Sequence, residues 1–185
     1  MDEFEIIRNY FRPLAQGYSG SLSLIDDAAL LNVNPGHQLV ITNDILTAGV
    51  HFFEDDPAEF VARKCLRVNL SDIAAMGANP MIYFIALSLP KNIDHKWLKL
   101  FAHGLQHDQD TYKINLSGGD TVSTPGPLTV SVTMLGQIQV DKALQRSNAK
   151  LGDDIWVSGT IGDAGLALKI IKGEICVDDF GTRKF

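Results

Sequence analysis

Residues 58–89 read AEFVARKCLRVNLSDIAAMGANPMIYFIALSL, and a change of rhythm inside them decides the fold. From Ala58 to about Met76 apolar residues recur at three- and four-residue spacing, the period of a helix. So much of its circumference is apolar that the helix is buried on more than one side. Pro57 stands where a first helical turn tolerates it, with Asp55 and Asp56 as candidate caps. Gly77 ends the pattern. Met81–Leu89 then runs apolar until Pro90 stops it, which is the signature of a strand.

Working outward, residues 3–11 set Phe4, Ile7, Tyr10 and Phe11 at helical spacing. Residues 17–23 are small and polar. Ala28–Val33 and Gln38–Asn43 read as strands around Asn34-Pro35-Gly36, a hairpin. On the other side Asp94 caps a second long helix carrying Trp97, Leu98, Phe101 and Leu105. Ile114–Leu116 is a short strand running into Ser117-Gly118-Gly119-Asp120. Pro127–Val140 is a long strand, Asp154–Val157 starts another, and a helix comes after Gly162. The hairpin argues against a purely parallel sheet, so the expected class is α+β, a mixed sheet with helices packed on one face. A boundary falls in the polar stretch 145–152, and the residues beyond it are too few for an independent domain. The chain reads as cut off soon after that boundary.

The 185 residues are 45% hydrophobic and 21% charged, the balance of a globular domain with one good core. Sixteen Lys and Arg against 22 Asp and Glu give a net charge of −6, which disfavours nucleic acid and anionic membranes as partners. No apolar run approaches the ~20 residues of a membrane span. The acidic N-terminus lacks a signal peptide's basic and apolar regions, so a cytoplasmic setting is expected. Cys65 and Cys176 form no disulfide framework or zinc pattern. The phosphate loop GxxxxGK[ST], the GxGxxG fingerprint and the GxSxG elbow are all absent.

What recurs is aspartate beside small residues where elements end: Asp26-Asp27-Ala28-Ala29, Thr42-Asn43-Asp44, Asn69-Leu70-Ser71-Asp72 and Gly118-Gly119-Asp120-Thr121. A buried carboxylate is costly unless a cation or donor meets it. Converging carboxylates make sense chiefly around Mg²⁺ or a similar hard ion. Independent helix caps and turn closures are the competing explanation. His103 and His107, four apart on the second helix, have metal-compatible spacing but no third ligand nearby. Tyr112, just before the Gly-Gly-Asp loop, is either a stacking surface for a base or a packing aromatic.

These blocks, joined by Ile45-Leu46-Thr47-Ala48-Gly49-Val50-His51-Phe52 and Arg146-Ser147-Asn148-Ala149-Lys150-Leu151-Gly152-Asp153, resemble thiamine-monophosphate kinase in order and spacing across residues 3–170. The wider superfamily includes aminoimidazole-ribonucleotide synthetase, and the GVHF block favours the thiamine branch. The resemblance implies an aminoimidazole-ribonucleotide-synthetase-like N-terminal domain at 1–148, carrying metal, ATP and dimer contacts. A truncated start of a second α/β domain would occupy 149–185. It implies ATP-dependent phosphorylation of thiamine monophosphate to thiamine diphosphate, several Mg²⁺ ions and a homodimer. By position, Asp27, Thr42, Asn43, Asp44, Asp72 and Asp120 look like metal ligands, His51 like a substrate contact, and Gly119, Asp120 and Arg146 like ATP contacts. No residue is implied as a nucleophile or general base. Ile25 departs from the glycine usual before the first Asp pair. A related synthetase and a non-catalytic dimerisation fragment are the alternatives.

Overall fold

The computed structural model describes residues 2–176. The chain divides into two compact units, Met1–Gln145 and Arg146–Phe185. In the first unit, helix α1 (Glu3–Ile6) runs on through a wider turn, Ile7–Phe11, a 3₁₀ turn at Arg12–Ala15 and a tight segment, Ser19–Leu24, broken by a kink at Leu22 and Ser23. Strand β1 (His37–Thr47), helix α2 (Ala58–Ala75), strand β2 (Asn79–Pro90), helix α3 (His95–Tyr112), strand β3 (Asn115–Thr124) and strand β4 (Thr129–Gln139) complete it.

The four strands form one mixed sheet in the order β1-β4-β2-β3. β4 pairs antiparallel with both β1 and β2, while β2 and β3 are parallel, joined by α3 as the crossover helix. Val130, Val132, Met134 and Ile138 alternate along β4 as buried residues, and the positions between them are partly open, so one face is dry. On β1 that alternation leaves Leu39, Ile41 and Ile45 exposed on the opposite face. Helices α2 and α3 cover the dry side with Val61, Cys65, Leu66, Ile73, Leu98, Phe101 and Leu105. They approach so closely that a Cβ on Gly104 would stand 2.4 Å from the Glu59 carbonyl. Asp94 does cap α3, its Oδ1 accepting from Trp97 N at 2.7 Å.

Gln109 ties four elements together. Its Oε1 accepts from the Tyr83 hydroxyl and from Leu116 N, and its Nε2 donates to the Leu14 carbonyl. Burial pushes the Cys65 thiol up to about 12, which leaves it an unreactive core residue.

Three expected elements differ. Ala28–Val33 is irregular, so no hairpin forms around Asn34-Pro35-Gly36; β1 finds its partner in β4, about ninety residues away. The strand expected at Ile114–Leu116 continues through both glycines to Thr124, because pairing with β2 carries them. Pro57 is the residue before the first turn of α2, and Asp56 does not cap that helix but accepts from Phe53 N.

In the second unit the described residues form a short turn, Arg146–Asn148, and helix α4 (Asp163–Ile171). Asp154–Val157 is not a strand: no described neighbour pairs with it, and a lone strand has nothing to satisfy its backbone. No described helix is long and apolar enough to cross a membrane.

Candidate functional site

Two concave regions of the first unit hold the carboxylates. The first, a cavity of about 530 Å³, lies between the N-terminal segment, the loop at 24–29 and strands β2 and β3. Asp26, Asp27, Gly118, Gly119 and Asp120 line its polar side; Ile7, Phe11, Phe84 and Leu116 line the other. Tyr83 pairs with Leu116 and Phe84 with Gly118, so Ser117 is an extra residue, a bulge that re-aims the strand beside the cavity. Gly119 has φ +155°, and a Cβ there would fall 1.8 Å from the Ile85 carbonyl, so only glycine keeps β3 on β2 at this point. Asp120 comes directly after it, its Oδ1 accepting from Thr121 N at 2.8 Å.

The loop reaching Asp26 is strained. Leu22, Ser23 and Leu24 all have left-handed backbones, at φ +51°, +56° and +54°. Ile25 has φ −115° and ψ −4°, an ordinary conformation, and its side chain is exposed. The isoleucine, where the resemblance leads one to expect glycine, therefore fits without backbone cost of its own.

The second region is an open groove of about 840 Å³ along α2, lined by Asp44 and Asp72 with Phe60, Lys64, Arg67 and Ser71 among their neighbours. Thr42 and Asp44 share the inward side of β1, and the Thr42 hydroxyl donates to Asp72 Oδ2 at 2.8 Å. Asn43, between them, points to the other face, where its amide donates to Thr133 Oγ1 at 2.8 Å and to the Val132 carbonyl at 3.1 Å. His51 sits in the tight loop after β1. Its Nδ1 accepts from Thr47 N at 3.0 Å, and Lys64 Nζ donates to its carbonyl oxygen.

The structure thus groups Thr42, Asp44 and Asp72 in one region and Asp27, Gly119 and Asp120 in another. Arg146 lies in the second unit, in its exposed opening turn. No described cluster of three or more His, Cys, Asp or Glu residues stands ready around one ion. Nor are these acids helix caps: Asp72 is inside α2, Asp120 is inside β3 and accepts only from the next residue's N–H, and among the described residues no hydrogen bond from the backbone reaches the side chains of Asp27 or Asp44. Nor does any described Lys or Arg come within salt-bridge distance of Asp27, Asp44, Asp72 or Asp120. Oxygen donors that reach solvent, Asp44 half-buried and the other three acids exposed, with no cation of their own, have the chemistry that a hard ion such as Mg²⁺ takes.

One carboxylate that sequence reasoning missed is the opposite case. Asp108 on α3 is fully buried and accepts from Arg67 Nε and Nη2 at 2.8 and 2.9 Å and from His107 Nδ1 at 3.0 Å. Burial pulls its pKa upward, but the hydrogen bonds from Arg67 and His107 and the charges of Arg67 and Arg63 outweigh it, holding the carboxyl below its ordinary value. The same pair raises the Arg67 guanidinium. His103 faces Glu59 at 3.4 Å, so the two histidines answer to separate acids rather than to one metal. Tyr112 closes α3 and does not line the first cavity.

Residues 25–138 match the family description AIR synthase related protein, N-terminal domain. Thiamine-monophosphate kinase of Caulobacter vibrioides is 47% identical over 173 residues, which is 94% of this chain and 49% of the relative. The crystal structure of thiamine-monophosphate kinase from Stenotrophomonas maltophilia K279a superposes with a TM-score of 0.75 at 48% identity, over 82% of this chain and 47% of that one. AaThiL complexed with AMPPCP and TMP gives 0.73 at 30% identity, over 85% and 50%. The chain spans about half the length of the curated relatives it matches. With a mixed sheet and helices packed on one face of it, the chain belongs to the AIR synthase related family, of which residues 25–138 are the N-terminal domain.

Proposed function

We propose that this chain is the N-terminal part of a thiamine-monophosphate kinase, which transfers the γ-phosphoryl group of ATP to thiamine monophosphate. The observation that carries the reading is the pair of uncompensated acid groups, Asp27 with Asp120 and Asp44 with Asp72, on a domain whose relatives bear that name. The AaThiL structure, complexed with AMPPCP and TMP, adds support for two phosphorylated substrates meeting on this fold.

Phosphoryl transfer needs positioning and charge neutralisation more than covalent chemistry. Mg²⁺, when bound, would neutralise the charge that builds on the transferring phosphoryl group. Asp27, Thr42, Asn43, Asp44, Asp72 and Asp120 would hold it, Asn43 from the other face of β1, where its Nδ2 donates to β4. Gly119 lets the chain pass close to a phosphate, Arg146 supplies a guanidinium for one, and His51 contacts the acceptor. No side chain at either region is placed as a nucleophile, so direct in-line attack by the acceptor's phosphate oxygen is the fitting route.

In this reading residues 1–148 are the metal- and ATP-binding and dimerisation domain, and 149–185 begin the second. The exposed apolar side of β1, with Ile41 60% and Ile45 57% accessible, supports a homodimer through that face. The setting is the cytoplasm. The reaction is tested with a full-length relative carrying this N-terminal half, by measuring thiamine diphosphate formation. Equal turnover of unphosphorylated thiamine, or turnover of a purine-pathway acceptor alone, would sink the assignment.

A further inference from the structure

The groove along α2 is lined by three cations, Arg63, Lys64 and Arg67, and two carboxylates, Asp44 and Asp72. Two of the cations are already committed: Arg67 donates twice to Asp108, and Arg63 stands 3.6 Å from the same acid. Lys64 is different. Among the described residues no carboxylate lies within salt-bridge distance of it, and its one bond goes to the His51 carbonyl. An ammonium has three N–H donors, so two remain for a ligand. His51 beside it accepts at Nδ1 from Thr47 N, which places the neutral ring's proton on Nε2 and makes that atom a donor as well. Donors without acceptors and a charge without a partner suit an oxyanion.

We propose that Lys64 anchors a phosphate monoester in the α2 groove. The inference rests on the kinase reading and names which residue takes the acceptor's phosphate. Counting Asp108, the groove carries three positive and three negative side chains, so an added dianion brings excess negative charge. Binding should therefore be tightened by a divalent cation.

The test is equilibrium titration of the chain with thiamine monophosphate, thiamine, inorganic phosphate and AMPPCP, with and without Mg²⁺, for wild type, Lys64→Gln and Lys64→Arg. Lys64→Gln should weaken thiamine monophosphate and phosphate at least tenfold, leave thiamine and AMPPCP within twofold, and keep the melting midpoint, since the side chain is exposed. Lys64→Arg should recover part of the loss. Unchanged phosphate and thiamine monophosphate binding in Lys64→Gln would overturn the proposal, as would an equal loss for thiamine, or a wild type that binds neither phosphate. A wild type that holds inorganic phosphate through Lys64 but ignores thiamine monophosphate would keep the anchor and sink the kinase reading instead.

Discussion

Helix α2 is party to carboxylates in two unlike settings. Towards α3, Asp108 is buried and held by two guanidiniums and an imidazole. Towards β1, Asp72 is exposed, and among the described residues one hydroxyl, from Thr42, is all that reaches its carboxylate, with Asp44 lining the same groove. The first acid accepts three hydrogen bonds and faces two guanidiniums from within the fold, so removing it must damage the fold. The second is left short of cations by its own protein. An acid's partners therefore distinguish a structural role from a ligand-holding one better than its local sequence does.

The largest effect should come from breaking the buried pair. Asp108→Ala strands Arg63 and Arg67, and losing one partner of a buried ion pair costs ~3–5 kcal/mol. Arg67 is 43% exposed and can turn to water, so the lower end, about 3 kcal/mol, is expected. Urea unfolding measures it, and a loss under about 1 kcal/mol would make the pair no better than a surface bridge.

The same acid predicts a pH dependence. Its folded pKa is depressed, so its contribution is complete above the unfolded carboxylate value near 4 and is lost as pH falls through the lowered folded value. Unfolding free energy should drop more steeply between pH 5 and pH 3 in wild type than in Asp108→Asn (about the range where carboxylates titrate). Parallel curves would remove Asp108 from the account.

On the ligand side, Asp72→Asn and Asp27→Asn should each weaken Mg²⁺-dependent AMPPCP binding more than tenfold, about 1.4 kcal/mol. Metal-free stability should stay within ~0.5 kcal/mol, since both side chains are exposed and an asparagine oxygen at 72 still accepts from Thr42. The two acids line different cavities. If the nucleotide and its metals join those cavities, the double variant will lose less than the sum of the singles, and strict additivity would mean two independent sites. Calorimetric titration of the three variants decides it.

Much of this could be read in the sequence where periodicity is local. The pattern over Ala58–Met76 gave α2 nearly to the residue and the cap at Asp94 gave the start of α3, because a helix satisfies itself within four positions. The strands were less legible where their partners lie far away. Gly118 and Gly119 look like a loop, yet pairing with Phe84 and Ile85 makes them strand. Ala28–Val33 looks like a strand and has no partner to make it one. The site motifs were visible as acids beside small residues, but their division between two cavities was not, since it depends on a strand order that sets β1 and β3 at opposite edges of the sheet. Arg67 with Asp108, 41 positions apart, left no sequence signal at all.

The smallest expected effect bears most directly on how Asp72 is held. Thr42→Val keeps the shape of the side chain and deletes the hydroxyl that donates to Asp72 Oδ2. Because Asp72 is exposed, water replaces the lost donor, and metal-free stability should fall by no more than ~1 kcal/mol, the net worth of an ordinary hydrogen bond. If the hydroxyl only orients the carboxylate, Mg²⁺-dependent AMPPCP affinity should fall a few-fold, since the carboxylate still carries the charge and must merely be reoriented. If instead Thr42 is itself a ligand, as its place in the motif implies, the loss should match that of Asp72→Asn. The double variant Thr42→Val/Asp72→Asn separates the cases. An orienting hydroxyl has nothing left to orient once Asp72 is neutral, so the double should bind like Asp72→Asn alone. A ligating hydroxyl still contributes, and the double should fall further.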